Sequence, residues 1–378
     1  MDRVLVVGCG LSGAVIARQL AEQGKTVEIW ERRDHIGGNL YDYVDEHGIL
    51  VHRYGPHTFH TKKKRLYDFL CRFGTWDEYR LTCGAEIDGK YTPTPFNFQT
   101  VDDFYPPVKA MALKEHLLAA FPGRCTVAIT EALSHPDVLV RQYAKFLFEK
   151  DFSLYTAKQW GVPPDEIDPS VLMRVPLRLS YDEGYFDDPW QVMPHAGYTA
   201  FFRNLLDHAN IFIHLGIHAL DHLAIQKDRL LLNGEEIFFP VIYTGALDEL
   251  FGCQAGQLPY RSLRFEWKYE DIDSKQNAPV VAYPQAKDYT RITEYKKLPV
   301  QNVRGTSYAM EYPLPYYPGE AHEPYYPVLT ADSQARYAVY SNMAMKISNL
   351  ICCGRLADFR YYNMDQALNR ALEVCAAL

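Results

Sequence analysis

The stretch that most restricts the fold lies in the first forty residues, where an apolar run, Val4-Leu5-Val6-Val7, breaks into Gly8-Cys9-Gly10-Leu11-Ser12-Gly13. This pattern reads as strand, glycine turn and helix. Gly8 lets the chain turn tightly out of the strand, Gly10 lets backbone N–H groups close on a pyrophosphate, and Gly13 lets the helix pack on the sheet. Residues 14–23 are helix-compatible, Gly24 suits the C-cap, and residues 26–30 read as a second buried strand ending in Glu31. A carboxylate at that position accepts hydrogen bonds from a ribose 2′-OH and repels a 2′-phosphate. The segment is therefore expected to bind a dinucleotide through Gly8, Gly10, Ser12, Gly13 and Glu31.

The residues after Glu31 choose between nicotinamide and flavin. Basic residues and the Gly37-Gly38 doublet follow directly, as Arg32-Arg33-Asp34-His35-Ile36-Gly37-Gly38-Asn39. This resembles the flavin-binding signature of amine oxidase-like FAD enzymes. FAD is the expected cofactor, with Arg32, Gly38 and Asn39 added to its contacts.

A chain of 378 residues with 48% hydrophobic composition has room for two to three domain-sized units with cores of their own. A net charge of −8 argues against a nucleic-acid partner, while 39 basic residues leave room for a local anion pocket. No apolar run approaches the ~18 residues of a membrane span, and residues 4–7 enter the glycine turn without a cleavable signal pattern. A cytoplasmic protein with no membrane insertion is expected. Eight cysteines with no CxxC spacing read as small core residues in a reducing compartment, and no metal site is expected. Tyrosine occurs 28 times, and its ring and hydroxyl suit a base, a sugar or a phosphate oxygen.

Along the chain, residues 48–61 read as a strand running into a Gly-Pro turn, and residues 62–73 as a helix with Leu66, Phe69, Leu70 and Phe73 on one face. Asp88-Gly89 marks a hairpin that Pro93 and Pro95 are expected to break. Residues 109–120 and 137–149 are amphipathic, and residues 155–194 read as mostly loop. Segments 210–215, 229–232 and 239–243 read as strands returning to the cofactor sheet, and 262–269, 280–283, 289–295 and 307–311 as an antiparallel sheet. Residues 331–348 and 364–377 read as helices around a last strand at 349–352. The expected architecture is α/β, with a discontinuous Rossmann-like FAD-binding domain formed by residues 1–80, 197–250 and 340–378. A small helical insertion (100–152) and an antiparallel sheet substrate domain (81–99, 153–196 and 251–339) complete it.

Seven motifs occur in order: Tyr54-Gly55-Pro56-His57-Thr58-Phe59-His60-Thr61, Tyr155-Thr156-Ala157-Lys158-Gln159-Trp160-Gly161, Arg174-Val175-Pro176-Leu177-Arg178, Tyr185-Phe186, Tyr289-Thr290-Arg291, Glu323-Pro324-Tyr325-Tyr326-Pro327-Val328 and Gly354-Arg355-Leu356-Ala357. Together they resemble the UDP-galactopyranose mutase family across nearly the whole chain. The resemblance implies an isomerase that interconverts UDP-galactopyranose and UDP-galactofuranose without net redox, in which N5 of reduced FAD attacks the anomeric carbon and displaces UDP. It implies that Arg174 and Arg291 hold the diphosphate, where guanidinium groups stabilise the charge that develops on the leaving group. Tyr155 and Trp160 match the aromatic residues beside uracil and sugar. Tyr185, Tyr326 and Tyr361 match tyrosines on the diphosphate or in the sugar pocket. Arg355 matches the arginine beside the flavin ring, with Gly354 and Met364 near the cofactor, and His57 and His60 match a histidine pair near it. A homodimer is also implied.

Asn363 stands where many members of that family have Asp, Leu154 replaces a common Gly, and Cys353 replaces another. Two alternatives therefore stay open: the same ring contraction on another sugar nucleotide, such as UDP-N-acetylgalactosamine or a dTDP-6-deoxyhexose, and a flavin oxidoreductase of the amine oxidase type.

Overall fold

The computed structural model describes residues 3–161, 163, 175–319 and 322–378. Its centre is a five-stranded parallel sheet in the order Ile211–Leu215, Thr26–Glu31, Arg3–Val7, Val241–Tyr243, Leu350–Cys352. The first strand shows why its sequence is an unbroken apolar run. Val4 and Val6 face one hydrophobic core, while Leu5 and Val7 face another. A strand buried on both faces has no place for alternating polar residues.

On the first face, Val15, Ile16 and Leu20 of helix Leu11–Glu22 pack with Leu368, Ala371 and Val374 of helix Met364–Ala377. On the second, Tyr340 of helix Ala331–Ala344 shares a hydrophobic core with Leu223 and Leu230 of a small antiparallel sheet, Leu223–Gln226, Arg229–Leu232 and Glu235–Glu236. Arg229–Leu232 is thus a strand, but it does not return to the cofactor sheet as expected. Because strands Thr26–Glu31 and Val241–Tyr243 flank Arg3–Val7 on opposite sides, the sheet has its topological switch point at the C-terminal end of Arg3–Val7. Parallel sheets open a crevice for ligands at such a point.

A seven-stranded sheet follows the order Tyr326–Pro327, Tyr260–Glu270, Thr306–Pro315, Arg291–Glu294, Val280–Ala282, Cys83–Ile87, Lys90–Thr94. It is antiparallel except where Val280–Ala282 pairs in parallel with Cys83–Ile87. Asp88 and Gly89 take positive φ in the hairpin turn between its last two strands. Pro93 does not break the second of these strands. Lys90–Thr94 is the outer edge of the sheet, where a residue without an N–H forfeits no ladder bond.

The helical unit contains Phe98–Phe104, Pro107–Ala120, Ile129–Leu133 and Val138–Leu147, of which the first and last are started by side-chain caps at Asn97 and Asp137. It extends further than expected. A π-helical turn, Phe148–Phe152, leads directly into another helix, Ser153–Trp160, so the first part of the segment read as loop is helical.

Candidate active site

The crevice at the switch point is lined by twelve of the thirteen residues expected at the cofactor: Gly8, Gly10, Ser12, Gly13, Glu31, Arg32, Gly38, Asn39, His57, Gly354, Arg355 and Met364. The glycines are required for different reasons. Gly8 has φ +100°, and a Cβ there would lie 2.2 Å from Thr244 Oγ1, whose hydroxyl donates to the Val7 carbonyl at 2.7 Å. A Cβ on Gly13 would lie 2.0 Å from the Gly8 carbonyl oxygen. At Gly10, by contrast, a Cβ would approach nothing in the protein closer than Gly38 Cα at 3.9 Å. Protein packing does not require a glycine there, whereas close approach of a ligand does. Helix Leu11–Glu22 starts at Gly10 with no side-chain cap and no acid in its first turn. Its positive end therefore faces the crevice, a suitable seat for a pyrophosphate.

Glu31 is buried at the end of its strand and fixed by two backbone donors, Cys9 N–H at 2.7 Å and Arg33 N–H at 3.0 Å. A carboxylate has about four acceptor sites, so it keeps capacity for ribose hydroxyls. Arg32 and Arg33 both pair with Glu323, the latter at 2.9 Å, and Arg33 also donates to Asn39 Oδ1 at 2.9 Å. Burial works against the charge on Glu323, but Arg33 and then Arg32 outweigh it and hold the carboxyl below its ordinary range. Glu323 opens the motif Glu323-Pro324-Tyr325-Tyr326-Pro327-Val328, and nothing local in that motif signals its pairing with Arg32 and Arg33. Arg355 donates to the carbonyls of Tyr325 at 3.2 Å and Tyr362 at 2.6 Å, and lies 5.4 Å from the Tyr361 ring. Asn363, expected at the substrate, also lines this crevice, where it precedes helix Met364–Ala377.

A second group adjoins the crevice. Tyr155 and Trp160 project from helix Ser153–Trp160, and the rings of Trp160, Tyr326 and Tyr361 form a mutual cluster with centroids 5.0 to 5.4 Å apart. Gln159 Nε2 donates to the Tyr326 hydroxyl. Arg291 and Glu311 are cross-strand partners, and the guanidinium contacts one carboxylate oxygen through Nε and Nη2, each at 2.8 Å. Glu311 is 1% exposed and was missed by sequence reasoning. A lone acid in an alternating strand was its only signal. Burial raises the pKa of Tyr155 in a setting also shaped by Arg291, Glu311, Tyr185 and Tyr361, which places these groups together.

His57 joins the two regions. Its Nδ1 lies 2.8 Å from the Gly55 carbonyl, and its own N–H donates to His52 Nδ1 at 3.1 Å. Burial first, then the charges of His52, Arg355 and Arg291, push its pKa down to about 3, and burial also lowers that of His52. Both rings are neutral in the native protein at pH 7, while in the unfolded chain each gains a proton below about pH 6.5. The stability they contribute is fully present above about pH 6.5 and is lost progressively as pH falls from there to the folded values. Urea unfolding at pH 7 and pH 5 should therefore show a loss of stability, and His57→Gln should reduce that difference. An unchanged pH 7 to 5 difference in the variant would remove His57 from this account.

His60, expected beside His57 near the cofactor, is not among the residues that line the crevice. Its strand, Phe59–Thr61, pairs with Trp190–Pro194, and the ring bonds Asp188 and stacks on Phe186 at 3.5 Å. Arg174 lies outside the described residues. No helix among the described residues is long and apolar enough to cross a membrane.

Fold and crevice define a Rossmann-like dinucleotide-binding protein, and the sequence profile of NAD(P)-binding Rossmann-like domains matches residues 6–73. The profile of UDP-galactopyranose mutase matches residues 150–361. The UDP-galactopyranose mutase of Mycoplasma pneumoniae is 35% identical over 375 residues, covering 97% of this chain and 94% of its own. The dTDP-fucopyranose mutase of Escherichia coli is 35% identical over 381 residues, covering 100% and 98%. The chain belongs to the flavin-dependent UDP-galactopyranose mutase family. A crystal structure of reduced UDP-galactopyranose mutase has the same fold, with a TM-score of 0.71 at 15% identity over 99% of this chain and 95% of that one.

Proposed function

We propose that this enzyme interconverts UDP-galactopyranose and UDP-galactofuranose on reduced FAD, without net redox. The observation that carries this reading is the placing of Arg291, Tyr155 and Tyr361 beside the His57 and Arg355 edge of the dinucleotide crevice. When bound, reduced FAD supplies the nucleophile at N5. The residues of the chain bind and orient. The open end of helix Leu11–Glu22 receives the pyrophosphate of FAD, and Glu31 receives a ribose. Arg355 lines the crevice and would supply a positive charge to the bound flavin, which would favour its anionic reduced form. Arg291, together with Arg174, binds the UDP diphosphate and stabilises charge as the anomeric bond breaks. Tyr155, Trp160, Tyr185, Tyr326 and Tyr361 enclose base and sugar and exclude water.

A second reading, the same reaction on a dTDP-linked 6-deoxyhexose, is favoured by the E. coli relative, which matches this chain as well as the UDP-galactose enzymes do. Dithionite-reduced protein incubated anaerobically with UDP-galactofuranose should form UDP-galactopyranose, read by chromatography, while the oxidised control stays inert. Conversion of dTDP-fucofuranose alone would select the second reading. Flavin reoxidation in proportion to substrate loss would replace both with an oxidase.

A further inference from the structure

The helix that carries Tyr155 and Trp160 is tied to the loop that precedes Arg291 through the side chain of Lys158. Lys158 Nζ, half-buried, lies 2.9 Å from the Tyr283 carbonyl, 2.5 Å from that of Ala286 and 2.9 Å from that of Tyr289. An ammonium has three donors, and here all three have backbone acceptors. These carbonyls belong to the loop that joins strand Val280–Ala282 to strand Arg291–Glu294, in which Tyr283 N–H donates to the Thr290 carbonyl at 2.8 Å. Arg291 is the first residue after that loop. The contact therefore fixes the backbone that sets the start of the arginine's strand.

The other end of the contact is equally constrained. Helix Ser153–Trp160 closes on Gly161 at φ +70°, and the guanidinium of Arg261 donates to the carbonyls of Gln159 at 2.9 Å and Lys158 at 3.3 Å. Arg261 satisfies carbonyls at the helix end and complements its dipole. It does not reach the loop through any of these bonds, whereas Lys158 does. A compact ammonium suits three converging carbonyls, and the planar fork of an arginine does not.

We infer that Lys158 is a positioning residue that sets the distance between the aromatic helix and Arg291, and so governs affinity for the nucleotide part of the substrate. This rests on the reading of the site as one for a UDP-sugar. Lys158 touches neither the crevice lining nor the ring cluster through its ammonium, so the bound flavin should be insensitive to it.

The experiment compares Lys158→Met, which keeps an apolar stem, and Lys158→Arg with the unaltered holoenzyme. In both variants KM for UDP-galactose and Kd for UDP should rise about ten-fold, kcat should fall with them as Arg291 is displaced from the charge it stabilises, and the flavin spectrum should stay unchanged. Hydrogen exchange should speed up in two separate segments, 157–161 and 283–290. Lower thermal stability with unchanged KM would overturn the inference by making the lysine merely structural. A fall in kcat at constant KM, or full function in the arginine variant, would overturn it as well. The exchange measurement needs no substrate. If the unaltered enzyme failed to convert UDP-galactose while exchange still rose in both segments of the methionine variant, the tether would stand and the substrate reading would fall. Unchanged exchange in a variant of the active enzyme would sink the tether alone.

Discussion

Arg291→Ala should lower turnover of UDP-galactose by about two to three orders of magnitude, the effect of removing a preorganised charge stabiliser from a water-poor site. The variant should stay yellow, because Arg291 is not among the residues lining the dinucleotide crevice. A control is needed, since Arg291 has two duties. Its guanidinium is the cation paired with Glu311, a carboxylate that is 1% exposed and whose Oε1 is buried without a hydrogen-bond partner among the described residues. Removing the arginine leaves that carboxylate unpaired, at a cost of about 3 to 5 kcal/mol. The double variant Arg291→Ala with Glu311→Gln removes the stranded charge, so its thermal stability should recover while turnover stays low. Recovery of activity along with stability would show that the single variant failed through folding, and would remove Arg291 from the diphosphate site.

The contrast between what the sequence disclosed and what it concealed has a physical basis. The strand, turn and helix of the first forty residues were legible because each signal is local: apolar residues on both faces, glycines at a turn, an acid at the strand end. Helix Met364–Ala377 was legible from its periodicity for the same reason. Helix Ser153–Trp160 was not, because its buried positions include Thr156 and Gln159, which carry no apolar signal. The π-helical turn before it also shifts the phase of the pattern set by Val138–Leu147. Pro93 was misread because only the strand order reveals an edge. The pairing of Arg291 with Glu311 and the convergence of Arg32 and Arg33 on Glu323 depend on strand register and on contacts across almost 300 residues. No local pattern encodes either. Motif resemblance supplied the arginines, tyrosines and tryptophan of the site, but it did not supply the carboxylates that hold the arginines in place.

Gly10→Ala and Gly13→Ala should fail in opposite ways, and the pair tests the crevice directly. At Gly13 an added Cβ would meet the Gly8 carbonyl oxygen at 2.0 Å, backbone against backbone, so neither side has a flexible end to move. Alanine is worth about 1 kcal/mol more than glycine in a helix interior, but overpacking of this kind costs about 1 to 3 kcal/mol or more. Gly13→Ala should therefore lower the melting temperature of the protein stripped of flavin. At Gly10 the backbone has φ −78° and ψ −172°, which alanine adopts freely, and the added Cβ meets only Gly38 Cα at 3.9 Å. The stripped Gly10→Ala protein should melt with the unaltered one. Its methyl group, however, would occupy the space through which a phosphate oxygen must come within about 3 Å of the backbone N–H groups. Flavin affinity should fall about 100-fold, equivalent to about 2.7 kcal/mol, as read by titrating the stripped protein with FAD. A Gly10→Ala protein that takes up FAD with unchanged affinity would mean that the pyrophosphate does not approach this turn. The assignment of the helix N-terminus as its seat would then fail, whatever the activity of the enzyme.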